Sequence, residues 1–172
     1  MADALLAPAV AATMYAASTV TAGASIVKMN REEKFDHELA AKKLPTMAVM
    51  SALVFAGQMI NYTIPGTGSS GHICGGMLLT SVLGPWAGFL SMIAVLAIQC
   101  LFFADGGLMA LGANIWNMAF YGCFVGYFLI YRPIMHSNWF SGKGERAAGR
   151  PMIIAASAIG WIVWLQLGAF SR

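Results

Sequence analysis

Residues 65–76 read PGTGSSGHICGG, and this stretch decides the fold. It lies inside a run from Lys43 to Asp105 with no Asp, Glu, Lys or Arg between those two residues. Five of its twelve residues are glycine and one is proline, so it cannot continue a lipid-facing helix. At membrane depth an irregular backbone survives only where protein or water satisfies its N–H and C=O groups. The stretch therefore reads as a re-entrant or capping outer loop that lines a cavity. His72 within it is either a ligand or a buried hydrogen-bonding residue.

Composition sets the class. The chain has 172 residues, of which 59% are hydrophobic and only 10% charged, with a mean hydropathy of +0.70. Soluble domains average about 25% charged residues. The chain reads as an all-α integral membrane bundle forming one domain over residues 1–172, with about six transmembrane spans at ~20 residues each. The net charge of +3 is small and its cations sit beside the spans. They report topology, and nucleic acid is not an expected partner. The start, MADALLAPAV, has no basic region ahead of its apolar run and makes a poor signal peptide. Cys74, Cys100 and Cys123 are isolated and odd in number, which argues against a disulfide framework and against a structural zinc site.

Along the chain, residues 5–29 form a first apolar run rich in small residues. Ala12 and Ala16, and Ala17, Thr21 and Ala24, make ridges that suit close helix packing, within the chain or against a partner protein. Residues 28–43 carry five cations and four acids and read as a solvated amphipathic helix, with His37 on its surface. Pro45 is expected to open the second span, which runs to about Ile64. Gln58 and Asn61 share a face there and should point into the bundle. A short span follows the loop from Met77 and breaks at Gly84-Pro85. Trp86 starts the next, to Ala104. Asp105-Gly106-Gly107 is another break. Residues 108–131 are a fifth span, residues 132–150 a second basic loop, and residues 151–170 a sixth span.

Cation counting places both basic segments on the cytoplasmic side of the cell membrane. The N-terminus, the glycine-rich loop and Asp105-Gly106-Gly107 then converge on the outer side, as a ligand site would require. Enzyme chemistry is poorly supported. The residue types for a nucleophile–base pair are present, but no HExxH, GxSxG or GxxxxGK[ST] motif occurs. A metal site fits better. Imidazole suits nickel, cobalt, copper and zinc. The natural supplement to His72 is the free α-amino group of Met1, whose pKa of about 8 leaves it partly neutral near pH 7. Cys74 is either a soft ligand or packing. Asp105 is a ligand, an acceptor for the His72 ring N–H, or a cap of the fifth span.

The chain resembles the CbiM/NikM family, the membrane substrate-capture component of energy-coupling-factor importers for cobalt and nickel. The resemblance rests on PGTGSSGHICGG, VLGPWAGFLSM, IQCLFFADGGLMALGANIWNMAF and the start ADALLAPAV, in matching order and spacing over most of residues 1–131. It implies a helical bundle of about seven spans at ~20 residues each. It implies outer capture of a transported Co(2+) or Ni(2+) ion, with no tightly bound cofactor. Release would be coupled to a scaffold transmembrane subunit and a pair of cytoplasmic ATPases, with room for a small accessory membrane subunit. His72 falls on the family's metal-ligating loop histidine. Asn114 and Asn117 match the GxNxxN segment, and Asp3 matches the acidic residue of the N-terminal segment. Two departures stand beside the match. Family members usually begin Met-His, whereas this chain reads Met1-Ala2-Asp3, and it ends about one helix short at ~20 residues per span. An accessory membrane subunit that keeps the fold without capturing metal is the alternative reading.

Overall fold

The computed structural model describes residues 7–35, 37–64, 69–72, 74–103 and 107–133. The fold is helical, as expected, with one small hairpin. Helix α1 spans Pro8–Phe35, 28 residues. Proline suits this start because its missing N–H falls among the donors that have no helical partner anyway. The hydroxyls along α1 bond back within the helix: Thr19 to the Tyr15 carbonyl at 2.8 Å, Thr21 to Ala17 at 2.9 Å, Ser25 to Thr21 at 2.8 Å. Small polar residues thereby enter an apolar span without an unpaired group. Residues 28–43 are not the one helix expected but are shared between two: α1 runs into the polar segment as far as Phe35, and α2 follows over His37–Gln58.

Two expected boundaries shift here. Pro45 lies inside α2 and does not open it. The preceding residues, ELAAKK, are strong helix formers, and Lys43 Nζ sits 3.3 Å from Glu32 Oε2 of α1, tying the first turns of α2 to the end of its predecessor. The second correction concerns the far end. Helix α2 stops at Gln58, not Ile64, and Asn61–Ile64 is strand β1. It pairs antiparallel with β2, Ser69–His72, in the register Asn61 with His72 and Ile64 with Ser69. The glycine-rich stretch thus supplies one strand of a hairpin.

Helix α3, Gly76–Leu83, is short. It ends at Gly84, whose φ of 85° and ψ of 167° form a backbone region almost confined to glycine. Pro85 then opens α4, Pro85–Phe103. Gly107 also has a positive φ, 75°. Helix α5, Leu111–Asn114, passes directly into α6, Ile115–Tyr131, which is wound in the wider i→i+5 form. The Gly84-Pro85 break is therefore present as expected, and of Asp105-Gly106-Gly107 only Gly107 lies among the described residues.

The core lies between α3, α4 and α6, with Val54 of α2 added. Leu79, Phe89 and Met92 are fully buried. Phe124 is ringed by Trp86, Phe89 and Phe120 at centroid distances of 4.9, 5.0 and 5.5 Å. Outside this core the helices present a coat of large apolar side chains: Phe102 is 78% exposed, Val20 72% and Leu129 70%. In water such a coat would mark an aggregation liability, whereas lipid tails are its natural solvent. Helices α1 (Pro8–Glu32) and α4 are long and apolar enough to cross a membrane.

Candidate functional site

Specific contacts fix which ends of the helices lie together. The Tyr15 hydroxyl donates to the Leu108 carbonyl, and Ser18 Oγ donates to the Gly112 carbonyl at 3.2 Å. Gly112 packs so close that a Cβ there would stand 2.9 Å from the Tyr15 nitrogen. The first half of α1 therefore lies against the start of α5. Further along α1, Lys28 Nζ stands over the Trp86 ring, 5.2 Å from its centroid, where α3 turns into α4. Helix α2 runs from its tie to Glu32 back towards Gln58, whose amide meets Gln99 near the end of α4. The start of α1, the end of α2 with its hairpin, and the α4–α5 connection thus gather at one end. The basic residues Lys28, Lys43 and Arg132 belong to the other.

The glycine-rich stretch returns into the bundle from this end. Cys74, Gly75, Gly76 and Met77 are all buried. A Cβ on Gly75 would collide with the Val54 side chain, and one on Gly76 would stand 3.2 Å from the Met118 carbonyl oxygen and 3.3 Å from Gly122 Cα. Glycine is required at both places because backbone meets a neighbouring helix directly. Cys74 Sγ lies 4.0 Å from the Met118 oxygen, and Cys123 Sγ 3.6 Å from the Gly76 oxygen. The exit of the loop is therefore seated on the first turns of α6.

This seating places the expected site residues. His72 closes β2 two residues before Cys74. Asn117 immediately precedes Met118, on which the Cys74 sulfur rests, and Asn114 lies three residues earlier at the α5–α6 junction. Both asparagines are half-buried. Gly112, the contact point of α1, and Met118, the contact point of the loop, are only six residues apart along the continuous helix. One short piece of α5–α6 thus carries the α1 contact, both asparagines and the loop exit. Met1, Asp3 and Asp105 lie outside the described residues. Cys74 is oriented into the bundle as packing, a buried free thiol.

A model of the cobalt uptake substrate-specific transmembrane region, CbiM, matches residues 1–171. The chain belongs to this family. Its members are membrane proteins of cobalt and nickel transport, a class defined by transport and not by catalysis. The chain is 38% identical to a solved transition metal transporter, with a TM-score of 0.77, covering 98% of this chain and 66% of that one. A protein of Archaeoglobus fulgidus provisionally named a fused nickel transport protein NikMN is 52% identical over 103 residues, 59% of this chain and 34% of that protein. The cobalt transport protein CbiM of Sorangium cellulosum is 38% identical over 87 residues, 51% of this chain and 39% of that protein. The matched regions are thus little more than a third of the length of either relative.

Sequence reasoning missed three contacts that build this end of the molecule. Tyr15 holds Leu108, Val54 receives Gly75, and Gln99 meets Gln58. Gln58 and Gln99 each carry a signal, as polar residues inside apolar spans. They are 41 residues apart, and no local pattern connects them.

Proposed function

We propose that this chain captures a transported Co(2+) or Ni(2+) ion at the end where α1, the hairpin and the α4–α5 connection meet. His72 supplies an imidazole ligand. The α-amino group of Met1, where it is free, supplies a second nitrogen, with Asp3 and Asp105 as nearby carboxylates. Asn114 and Asn117 support the ligands from α5–α6, and Cys74 seats the loop. Neutral imidazole and amine nitrogens are suited to nickel and cobalt in preference to calcium or magnesium, which favour oxygen.

The observation that supports this reading is that the start of α1, the end of α2 and the approach to α5 lie together, at the end opposite Lys28, Lys43 and Arg132. By the positive-inside rule that end faces outward, with the N-terminus outside a multi-pass fold in the cell membrane. The sequence holds no phosphate-binding GxxxxGK[ST] motif, so energy for inward release comes from other chains, a scaffold membrane subunit and cytoplasmic ATPases.

The test is metal binding by the purified chain in lipid nanodiscs. Stoichiometric nickel or cobalt, lost in His72→Ala while the helical content is kept, is the expected result. A parent chain that binds neither metal, or a His72→Ala variant that binds as the parent does, overturns the reading and leaves an accessory subunit as the better account.

A further inference from the structure

Gln58 and Gln99 form a buried polar pair that the capture site does not use. They are 2% and 4% exposed. Gln99 Nε2 donates to Gln58 Oε1 at 2.8 Å, and Gln58 Nε2 lies 3.7 Å from the Met92 sulfur. At bilayer depth an amide has no water to turn to, so the loss of one partner leaves the other unpaired. A general adhesive role between α2 and α4 would explain such a pair anywhere along the two helices. Its actual place is more particular. Gln58 is the last residue of α2, three positions before Asn61, and Asn61 is the register partner of His72. Val54, one turn earlier, is where Gly75 comes back to the bundle. The chain thus leaves α2 at Gln58, forms the hairpin, and returns to the same turn.

We propose that the Gln58–Gln99 pair is a positioning device that fixes the root of the glycine-rich excursion and so presents His72 to the cation. The last turn of α2 then acts as a two-point clamp. Val54 holds the returning end by packing, and Gln58 holds the departing end through its bond to α4. This presentation of His72 rests on the metal-capture reading above. The fixing of the hairpin does not, and it is measurable on its own.

The experiment compares the full chain with Gln58→Leu, Gln99→Leu, the double variant and Gln99→Glu, all in nanodiscs. Backbone hydrogen exchange is the first readout. Gln99→Leu should speed exchange of the hairpin amides in residues 61–64 and 69–72 by about 3- to 20-fold, the range set by measured side-chain bonds between membrane helices. Exchange in α1 should stay as in the parent. Titration with NiCl2 is the second readout, with affinity weakened by up to a similar factor. Because both residues act through one bond, the double variant should be no worse than either single one. Gln99→Glu should restore affinity, since the Gln58 amide offers both a donor and an acceptor to a carboxyl group.

Unchanged hairpin exchange overturns the proposal, and so does faster exchange spread evenly over α1, α4 and α6, which is the signature of general adhesion. Faster hairpin exchange with unaltered nickel affinity overturns the presentation of His72. A Gln99→Glu variant as impaired as Gln99→Leu also counts against it. A parent chain that binds no nickel defeats the capture reading and the presentation of His72 with it, while hairpin exchange still decides whether the pair fixes the loop.

Discussion

Replacing Gly75 by alanine adds one methyl group where the structure has no room for it. The new Cβ would stand 2.5 Å from Val54 Cγ2 and 2.9 Å from its Cβ, with Cγ1 closer still. Carbon atoms rest at about 3.5–4.0 Å, so the overlap is on the order of 1 Å. Valine in a helix has one strongly preferred χ1 rotamer and cannot swing its methyls aside. Overpacking of this kind costs about 1–3 kcal/mol. Two outlets exist for the strain. The chain can lose global stability, or the loop exit can move away from α2 and carry His72 with it. A loss of 2 kcal/mol taken entirely by the loop would weaken metal binding about 30-fold. NiCl2 titration and a thermal unfolding midpoint, measured on the same nanodisc preparation, divide the cost between the two. A second substitution checks the cause. Val54→Ala removes both γ carbons and leaves only the 2.9 Å approach, so the double variant should recover at least about 1 kcal/mol relative to the sum of the singles. Additivity within about 0.5 kcal/mol would show that Gly75 and Val54 do not press on each other, and the proposed seating of the loop on α2 would be wrong.

Two further substitutions test the frame around the site. At Gly84 no atom lies within 4 Å of an added Cβ, so Gly84→Ala isolates the backbone cost of a φ of 85° with a ψ of 167°. That cost is about 1–3 kcal/mol, or a midpoint lowered by roughly 4–8 °C at its middle value for a chain of this size; an unchanged midpoint would refute the strained turn. Tyr15→Phe removes the donor to the Leu108 carbonyl and should lower the midpoint by about 2–4 °C, for a loss of about 1 kcal/mol; stability equal to the parent would mean that this bond does not hold α1 to the α4–α5 connection.

What was legible in the sequence was the chemistry that acts locally. Gly84-Pro85 announces a break because glycine can take the required positive φ and proline can only begin a helix cheaply. The break before Leu108 is readable for the same reason, through Gly107. Gln58 was legible as a bundle-facing residue because an amide facing lipid would be costly. Pro45 misled, since the rule that places proline at a helix start competes with a run of good helix formers before it and with the Lys43–Glu32 contact, which joins two helices. Strand β1 was hidden for a related reason. Asn61–Ile64 holds no charge, glycine or proline that would end a span, and it becomes a strand only by pairing with Ser69–His72. Such pairing depends on context more than on the intrinsic preference of four residues. The i→i+5 winding of α6 has no sequence signal that we can name. Of the proposed site, the sequence alone offers His72 and the asparagines as candidates, while the surface on which the neighbouring elements meet was not legible in it.

That surface follows from how helices adhere in lipid. Burying apolar side chains between helices gains little there, because lipid tails are as apolar as leucine. Adhesion must come from close van der Waals approach and from side-chain hydrogen bonds. The chain meets this need with small residues at the crossings. Gly112 meets Tyr15, Gly76 meets Met118 and Gly122, Gly88 meets Leu79 and Thr80, and Gly126 meets Met77. The hydrogen bonds of Tyr15, Ser18 and Gln99 add directional ties at the end where the candidate site lies. An interface made of backbone against backbone has little side-chain slack, so a displacement of α1 or of the loop exit is felt directly by α5–α6. This is why the same short helical segment can hold two otherwise separate elements in register, and why a single methyl group at Gly75 is a sharper probe of the site than a larger change on the lipid-facing coat.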